Sequence, residues 1–266
     1  MKPVRIALLT LPSVMSDAAS LGFARALGGR LALLGLSDPM RPGMGGTMGQ
    51  LRRHLARSGP RMLPYLALGY GMPFRHGPFR AVARAAGAPL VVVRDVNGDA
   101  MRAALATARP DLIVTLHFDQ ILTPETLTLA RLGGVNLHPS LLPQHRGPMP
   151  AFWMLAEDPD AAGISLHRLA PRIDAGALLG QRRVALPPGL SVLEATRRLH
   201  LAGLPLLRDL VARLEEPQAL AGAEQPVLPY RGFPDAVALH GAARRGVALV
   251  RAGDLRLILP GRAARG

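Results

Sequence analysis

Cysteine is absent from this sequence, which removes disulfides, thiolate zinc sites and cysteine nucleophiles and suits a reducing compartment. Lysine is nearly absent too: Lys2 stands alone among 32 basic residues. Arginine in place of lysine, with so much alanine, glycine and proline, has the look of codon bias. No apolar run is long enough to cross a bilayer. The opening MKPVRIALLTLPSV has a charged start but is too short for a span and lacks a cleavage site, so it reads as a first buried strand of a cytoplasmic protein. No internal repeat or low-complexity linker is present. A glycine-rich phosphate loop is also missing, because Gly43–Gly49 has neither the lysine nor the strand–turn–helix setting such a loop needs.

What is present suits a large buried core: 266 residues with an apolar fraction of 49% fit one domain with a small appendage. The net charge of +14 is uneven. Residues 1–90 hold 12 Lys and Arg against Asp17 and Asp38, which leaves +10 in the first third. Within it, residues 51–80 alternate arginine clusters (Arg52, Arg53, Arg57) with an apolar stretch from Met62 to Phe74. Such a segment can lie on an anionic membrane or meet an acidic substrate. The plainer alternative is a helical insertion, about 40–80, packed on the core with a solvated basic face.

Continuous apolar strands are expected at Arg5–Leu11, Leu31–Leu36, Leu90–Val93, Leu112–Leu116 and Gly134–Leu137, with helical periodicity near 18–27, 48–57, 78–86 and 98–108. This alternation predicts an α/β fold, a doubly wound, mostly parallel sheet with helices on both faces and a site at the carboxyl ends of its strands. After Pro150 the pattern predicts a short helix (Ala151–Ala156), two strands (Gly163–Leu169 and Ala177–Leu186) and one long helix from Ser191 to Leu214, opened by a Ser191/Glu194 capping box. A catalytic domain over 1–216 is followed by an extension, 217–266, whose GVALVRAGDLRLIL predicts a short C-terminal β-hairpin turning at Ala252–Asp254.

In GGVNLHPSLLPQHRG, Asn136 and His138 stand two apart at the end of an apolar strand, so both project from one face into the space beyond it. The prolines that follow stiffen the next loop. Asp174 sits in the small-residue turn RIDAGALL. An amide can donate to a developing oxyanion, and a carboxylate can fix or charge a neighbouring imidazole, which suits acyl-type transfer without a covalent enzyme intermediate. The alternative is a satisfied strand-end histidine and an ordinary turn aspartate.

VNLHPSLLPQHRGPMPAFWML and GISLHRLAPRIDAGALLGQRRVALPPGLSVLEATRRL resemble the core of the formyltransferases that use 10-formyltetrahydrofolate, a family including glycinamide ribonucleotide, methionyl-tRNA and sugar N-formyltransferases. The Asn-x-His-Pro-Ser-x-Leu-Pro core, Gly147 and an Ile-Asp-x-Gly placed 38 residues after the asparagine (174 − 136) carry the likeness, which spans about 88–210. The resemblance implies a Rossmann-like fold and makes Asn136, His138 and Asp174 the catalytic trio. Asn136 and a protonated His138 would hold the oxyanion, while Asp174 would raise the His138 pKa and help move a proton from the attacking amine.

The resemblance further implies a folate pocket built from Gln120, Ile121 and Leu122 in HFDQILT and from Ala170, Pro171, Arg172 and Ile173 before the aspartate. Asp119 stands where relatives carry an apolar or small residue, so the pocket is rearranged there or Asp119 faces outward. Ser140, His145 and Arg146 would lie near the acceptor entrance, with Arg146 able to pair with an acidic group. No His and carboxylate set has metal-ligand spacing, and no catalytic metal is expected; His117 and His167 read as structural. The implied partner is a small-molecule amine: an amino sugar, an amino acid or a lipid-linked amine. A tRNA acceptor is disfavoured, a homodimer is open, and peripheral contact of 51–80 with an anionic membrane stays a candidate. A hydrolase using water in place of the amine, or a non-catalytic folate-binding or membrane-associated protein, are the alternatives.

Overall fold

The computed structural model describes residues 3–39, 46–71, 76–216 and 218–258. Five strands run parallel: β1 (Ile6–Thr10), β2 (Leu31–Ser37), β3 (Leu90–Val93), β4 (Leu112–Leu116) and β5 (Gly134–His138). Two antiparallel strands follow, β6 (Gly163–Arg168) and β7 (Leu178–Arg183), giving the order β3-β2-β1-β4-β5-β6-β7. Strands β1, β2 and β4 are buried along their whole length, as expected of central strands covered on both faces. The chain reverses its winding direction at β1, so the crevice opens beyond the carboxyl ends of β1, β4 and β5.

One face carries α1 (Asp17–Leu27), α3 (Leu63–Tyr70), α4 (His76–Ala85), α7 (Pro150–Glu157), α8 (Val192–Ala202) and α9 (Leu204–Arg213), around Phe23, Phe79, Phe152 and Leu199. The other carries α5 (Asp99–Ala108) and the single turn α6 (Pro124–Leu127), around Met101, Leu105, Leu122 and Ala130. Helix α2 (Gly46–Ser58) packs against α10 (Ala236–Arg244). In the basic segment, Met62 and Tyr65 turn inward and are buried, while Arg52 and Arg53 are exposed. The described part of 51–80 is therefore a helical layer on the core; Met72 to Arg75, like Gly43 to Gly45, lie outside the described residues.

The structure differs from expectation in four places. The long helix is two helices, α8 and α9, because Pro205 has no N–H to bond the carbonyl one turn back. Only half of the capping box forms: Ser191 Oγ accepts from the Glu194 amide (3.0 Å), but the buried Glu194 carboxylate turns to Arg198 (2.9 Å), Arg256 (3.5 Å) and Arg197 (3.7 Å). The expected C-terminal hairpin is also replaced. The Val192 and Leu193 amides donate to the Ala248 and Leu249 carbonyls (2.9 and 3.2 Å), and Ala252–Leu257 winds into a 3-10 helix. The tail spends its strand-forming carbonyls on the open amino end of α8, where unsatisfied amides are costly; the last hairpin residue, Leu259, lies outside the described residues. Helix α10, N-capped by Asp235 on the Ala238 amide (2.8 Å), had no counterpart in the expectations.

Candidate functional site

The end of β5 presents Asn136 and His138. Pairing of β4 with β5 sets Thr115 beside Asn136, and antiparallel pairing of β5 with β6 sets His167 on its other side. Thr115 Oγ1 donates to Asn136 Oδ1 at 2.8 Å, which directs Nδ2 toward His167 Nε2 at 3.1 Å. His167 Nδ1 meets the Arg168 carbonyl at 2.8 Å. A carbonyl only accepts, so Nδ1 carries the proton and Nε2 can accept from Asn136. Among the described residues the second amide N–H of Asn136 has no such partner.

Asp174 reaches this pair from the β6–β7 turn, in a left-handed conformation (φ 50°) that a non-glycine residue adopts only when surroundings impose it. The surroundings are explicit. Arg146 donates through Nε (3.0 Å) and Nη2 to the Ile173 carbonyl and through Nη1 to the Leu228 carbonyl at 2.6 Å. Gln225 Nε2 donates to the Gly176 carbonyl at 2.6 Å. Gly176 packs so tightly that a Cβ there would lie 2.0 Å from the Arg168 carbonyl oxygen. The Gly147 amide donates to Asp174 Oδ2 at 3.0 Å, while Oδ1 lies 3.5 Å from His138 Nδ1 and 3.6 Å from His167 Nε2.

These contacts fix the electrostatics. Burial alone would raise Asp174, but His138, His167 and the Gly147 amide together hold its carboxyl at about 2. His138 is 4% exposed. Burial lowers its pKa, and the pull of Asp174 in the opposite direction does not offset it. The carboxylate at 3.5 Å does pull the His138 pKa upward, but loss of hydration at this depth outweighs it and the net shift is downward. His138 Nε2 donates to the His145 carbonyl at 3.2 Å, which leaves Nδ1, facing Asp174, as the position for an added proton.

These residues line one cavity of about 360 Å³ with walls from both faces of the sheet. One wall holds Gln120, Ile121, Leu122, Ala170 and Ile173, while Pro171 and Arg172 are exposed outside the lining. Gln120 ties the wall to β2 and β3, donating to Ser37 Oγ (2.9 Å) and the Val93 carbonyl (3.0 Å) and accepting from the Val96 amide (2.9 Å). Leu122 is core, and Ile121, 58% exposed, forms an apolar lip. Asp119 belongs to the lining, where its carboxylate accepts from Ser37 Oγ.

The residues expected at the acceptor entrance sit elsewhere. Arg146 is buried with its guanidinium on main-chain carbonyls. Ser140 is buried and donates to the Gln144 carbonyl at 2.9 Å. His145 lines a separate surface depression, with Nδ1 3.8 Å from Glu157. None of the three lines the cavity: of the proline-rich loop, Pro139 and Gly147–Pro150 face in. The opposite wall consists instead of Tyr65 and Tyr70 of α3, Thr196 and His200 of α8, and Tyr230 and Phe233. No local motif marks them; only the β6 alternation could have flagged His167. Among the described residues no group of His, Asp and Glu side chains could hold a metal ion, and no helix is long and apolar enough to cross a membrane.

Structural likeness agrees with this geometry. A sugar N-formyltransferase from Shewanella sp. superposes with a TM-score of 0.52 at 16% identity, covering 86% of this chain and 77% of that one. Glycinamide ribonucleotide transformylase 1 from Symbiobacterium toebii gives 0.54 at 21%, covering 81% and 89%. A sugar 3N-formyltransferase studied with dTDP and 5-N-formyl-tetrahydrofolate gives 0.54 at 11%, covering 88% and 71%. Likeness this distant speaks for the fold. The family is given by the sequence itself: residues 76–210, half of the chain, match the formyl transferase family model. The chain belongs to the formyl transferase family and is a folate-dependent formyltransferase.

Proposed function

We propose that this enzyme transfers a formyl group from 10-formyltetrahydrofolate to the primary amine of a small hydroxylated acceptor of the amino-sugar class. The observation that carries the proposal is the meeting of Asn136, His138 and Asp174 on the floor of one cavity, between a wall suited to the folate and a second, polar-aromatic wall. The folate wall fits a flat heterocycle: Leu122, Leu169, Ala170 and Ile173 offer apolar contact, with Ile121 as a lip.

The bound donor supplies the activated formyl carbon. Asn136, with one N–H held by His167, has its other N–H for the formyl oxygen as charge builds on it. His138, kept uncharged by burial, takes the proton lost by the attacking amine at Nδ1, where the ionised Asp174 stabilises the imidazolium, and that proton passes on to N10 of the folate as the bond between N10 and the formyl carbon breaks. Neither residue must leave its contacts, so little reorganisation is needed. The cavity, of about 360 Å³ and lined in part by Tyr230 and Phe233, suits a small acceptor better than tRNA. The fold resemblance to sugar N-formyltransferases points the same way.

The test is release of tetrahydrofolate from 10-formyltetrahydrofolate by the purified enzyme, alone and with amino sugars or amino acids. Release only with an amino sugar, with formamide formation by mass spectrometry, is the expected result. Release at equal rate without any amine would make the protein a hydrolase instead.

A further inference from the structure

Helix α8 carries His200 into the cavity wall opposite the folate residues. Its side chain is fully buried, and Nδ1 lies 3.2 Å from the Met15 carbonyl, so Nδ1 bears the proton. Nε2 is buried and has no hydrogen-bonding partner among the described residues. A buried lone pair left unmatched is costly, and such a group in a folded protein calls for an explanation. His200 lines the reactive cavity, so a bound molecule can supply the missing donor.

The setting dictates what that molecule is. Burial holds His200 at about 3 and its neighbour His117 at about 4, so both rings are uncharged at neutral pH. The His117 and His200 rings meet edge to face at 5.3 Å, and Tyr70 stacks on His117 with its hydroxyl 3.1 Å from Nε2. An uncharged imidazole with its N–H already spent can only accept, so it rejects phosphate and carboxylate oxygens and takes an O–H or N–H. The lining agrees: the chain has 31 arginines and one lysine, yet no lysine or arginine lines the cavity among the described residues. The amino end of α1 is closed to a phosphate as well, because Asp17 Oδ1 already accepts from the Ser13 amide at 2.8 Å.

We infer that His200 is a specificity-determining residue for the acceptor, its Nε2 accepting a hydrogen bond from a hydroxyl on the uncharged ring that carries the reacting amine. Tyr65, Tyr70 and Phe233 supply the flat surfaces against which such a ring packs. The inference rests on the formyl-transfer reading of the same cavity and adds to it the identity of the recognising atom.

The experiment measures kcat/KM with 10-formyltetrahydrofolate for a set of amino sugars in which each hydroxyl is replaced in turn by hydrogen, in wild type and in His200→Phe. One deoxy analogue should lose about tenfold in the wild type, the worth of one hydrogen bond, and that ratio should collapse toward one in the variant while the other ratios persist. Identical ratios in the two proteins, or preference for a phosphorylated amine, would overturn the subsite but leave formyl transfer standing. Absence of turnover on every amine, with 5-formyltetrahydrofolate still bound, would overturn the transfer reading and the subsite with it. Should His200→Phe fail to fold, wild-type protein labelled with ¹⁵N in its imidazoles decides the matter: the His200 Nε2 resonance should move on saturation with the preferred amino sugar and not with its deoxy partner. An unmoved resonance overturns the proposal.

Discussion

Asn136 on β5 and His167 on β6 face each other across an antiparallel strand pair, the amide Nδ2 3.1 Å from the imidazole Nε2. The same Nε2 lies 3.6 Å from Asp174 Oδ1, but its lone pair is committed to the Asn136 amide, so His167 orients one of the three residues assigned to chemistry. It is a positioning residue. His167→Phe should lower kcat on the order of tenfold, about one hydrogen bond's worth, with little change in KM. His167→Gln keeps an oxygen able to accept from Asn136 and should recover part of the loss; equal defects in both variants would reduce His167 to packing.

Replacing His138 by Ala, or Asp174 by Asn, removes the proton acceptor or the charge that stabilises it. Each should cost on the order of a hundredfold to a thousandfold in kcat. Steady-state assays giving near-normal turnover in either variant would end the assignment of the trio.

Arg146 clamps the Asp174 turn to the segment around Leu228. Arg146→Met leaves the Ile173 and Leu228 carbonyls without their donors, a loss of about 2–3 kcal/mol in unfolding free energy, measurable by urea denaturation. Arg146→Lys should not recover it, since an ammonium cannot span both carbonyls as the guanidinium fork does.

Gly147 has φ 125°, and a Cβ there would lie 2.1 Å from the Arg231 carbonyl oxygen. Its amide also holds Asp174. Gly147→Ala should displace the 228–233 segment, seen as faster proteolysis there, and lower kcat together with stability. A variant with unchanged proteolysis and activity would show that this close approach is dispensable.

Acid should destabilise the enzyme well above the range where most carboxylates titrate. The pKa values of His117 and His200 fall to about 4 and about 3 on folding, and that of His138 falls too. Below about pH 6.5 the unfolded chain takes up these protons and the folded one does not, so stability present at neutral pH is lost as pH falls toward 3. Asp174, lowered to about 2, adds a further loss between about pH 4 and pH 2. Denaturation midpoints that stay level from pH 7.5 to 4 would contradict these burial effects.

Elements fixed by local pattern were legible in the sequence. Continuous apolar runs gave β1 to β5 with ends within about one residue, and the Asn136–His138 spacing put two polar groups on one strand end because side chains alternate along a strand. The link to Asp174 came through family resemblance, since nothing in a small-residue turn says which strand end it will face. The C-terminal hairpin misled because the alternation in GVALVRAGDLRLIL is local, whereas the demand of α8 for carbonyls at its amino end is not.

The sequence by itself determined the α/β order, the strand that bears the reactive pair and the exclusion of thiol chemistry. Only the tertiary structure decided that His167 orients Asn136, that Arg146 is a buried clamp, that His138 is held uncharged, and that His200 lines the cavity with a ring nitrogen unmatched among the described residues. Periodicity is written within a few residues of chain, so it can be read locally. Desolvation and hydrogen-bond satisfaction depend on atoms contributed by segments 27 to 185 residues away, and no local pattern records them.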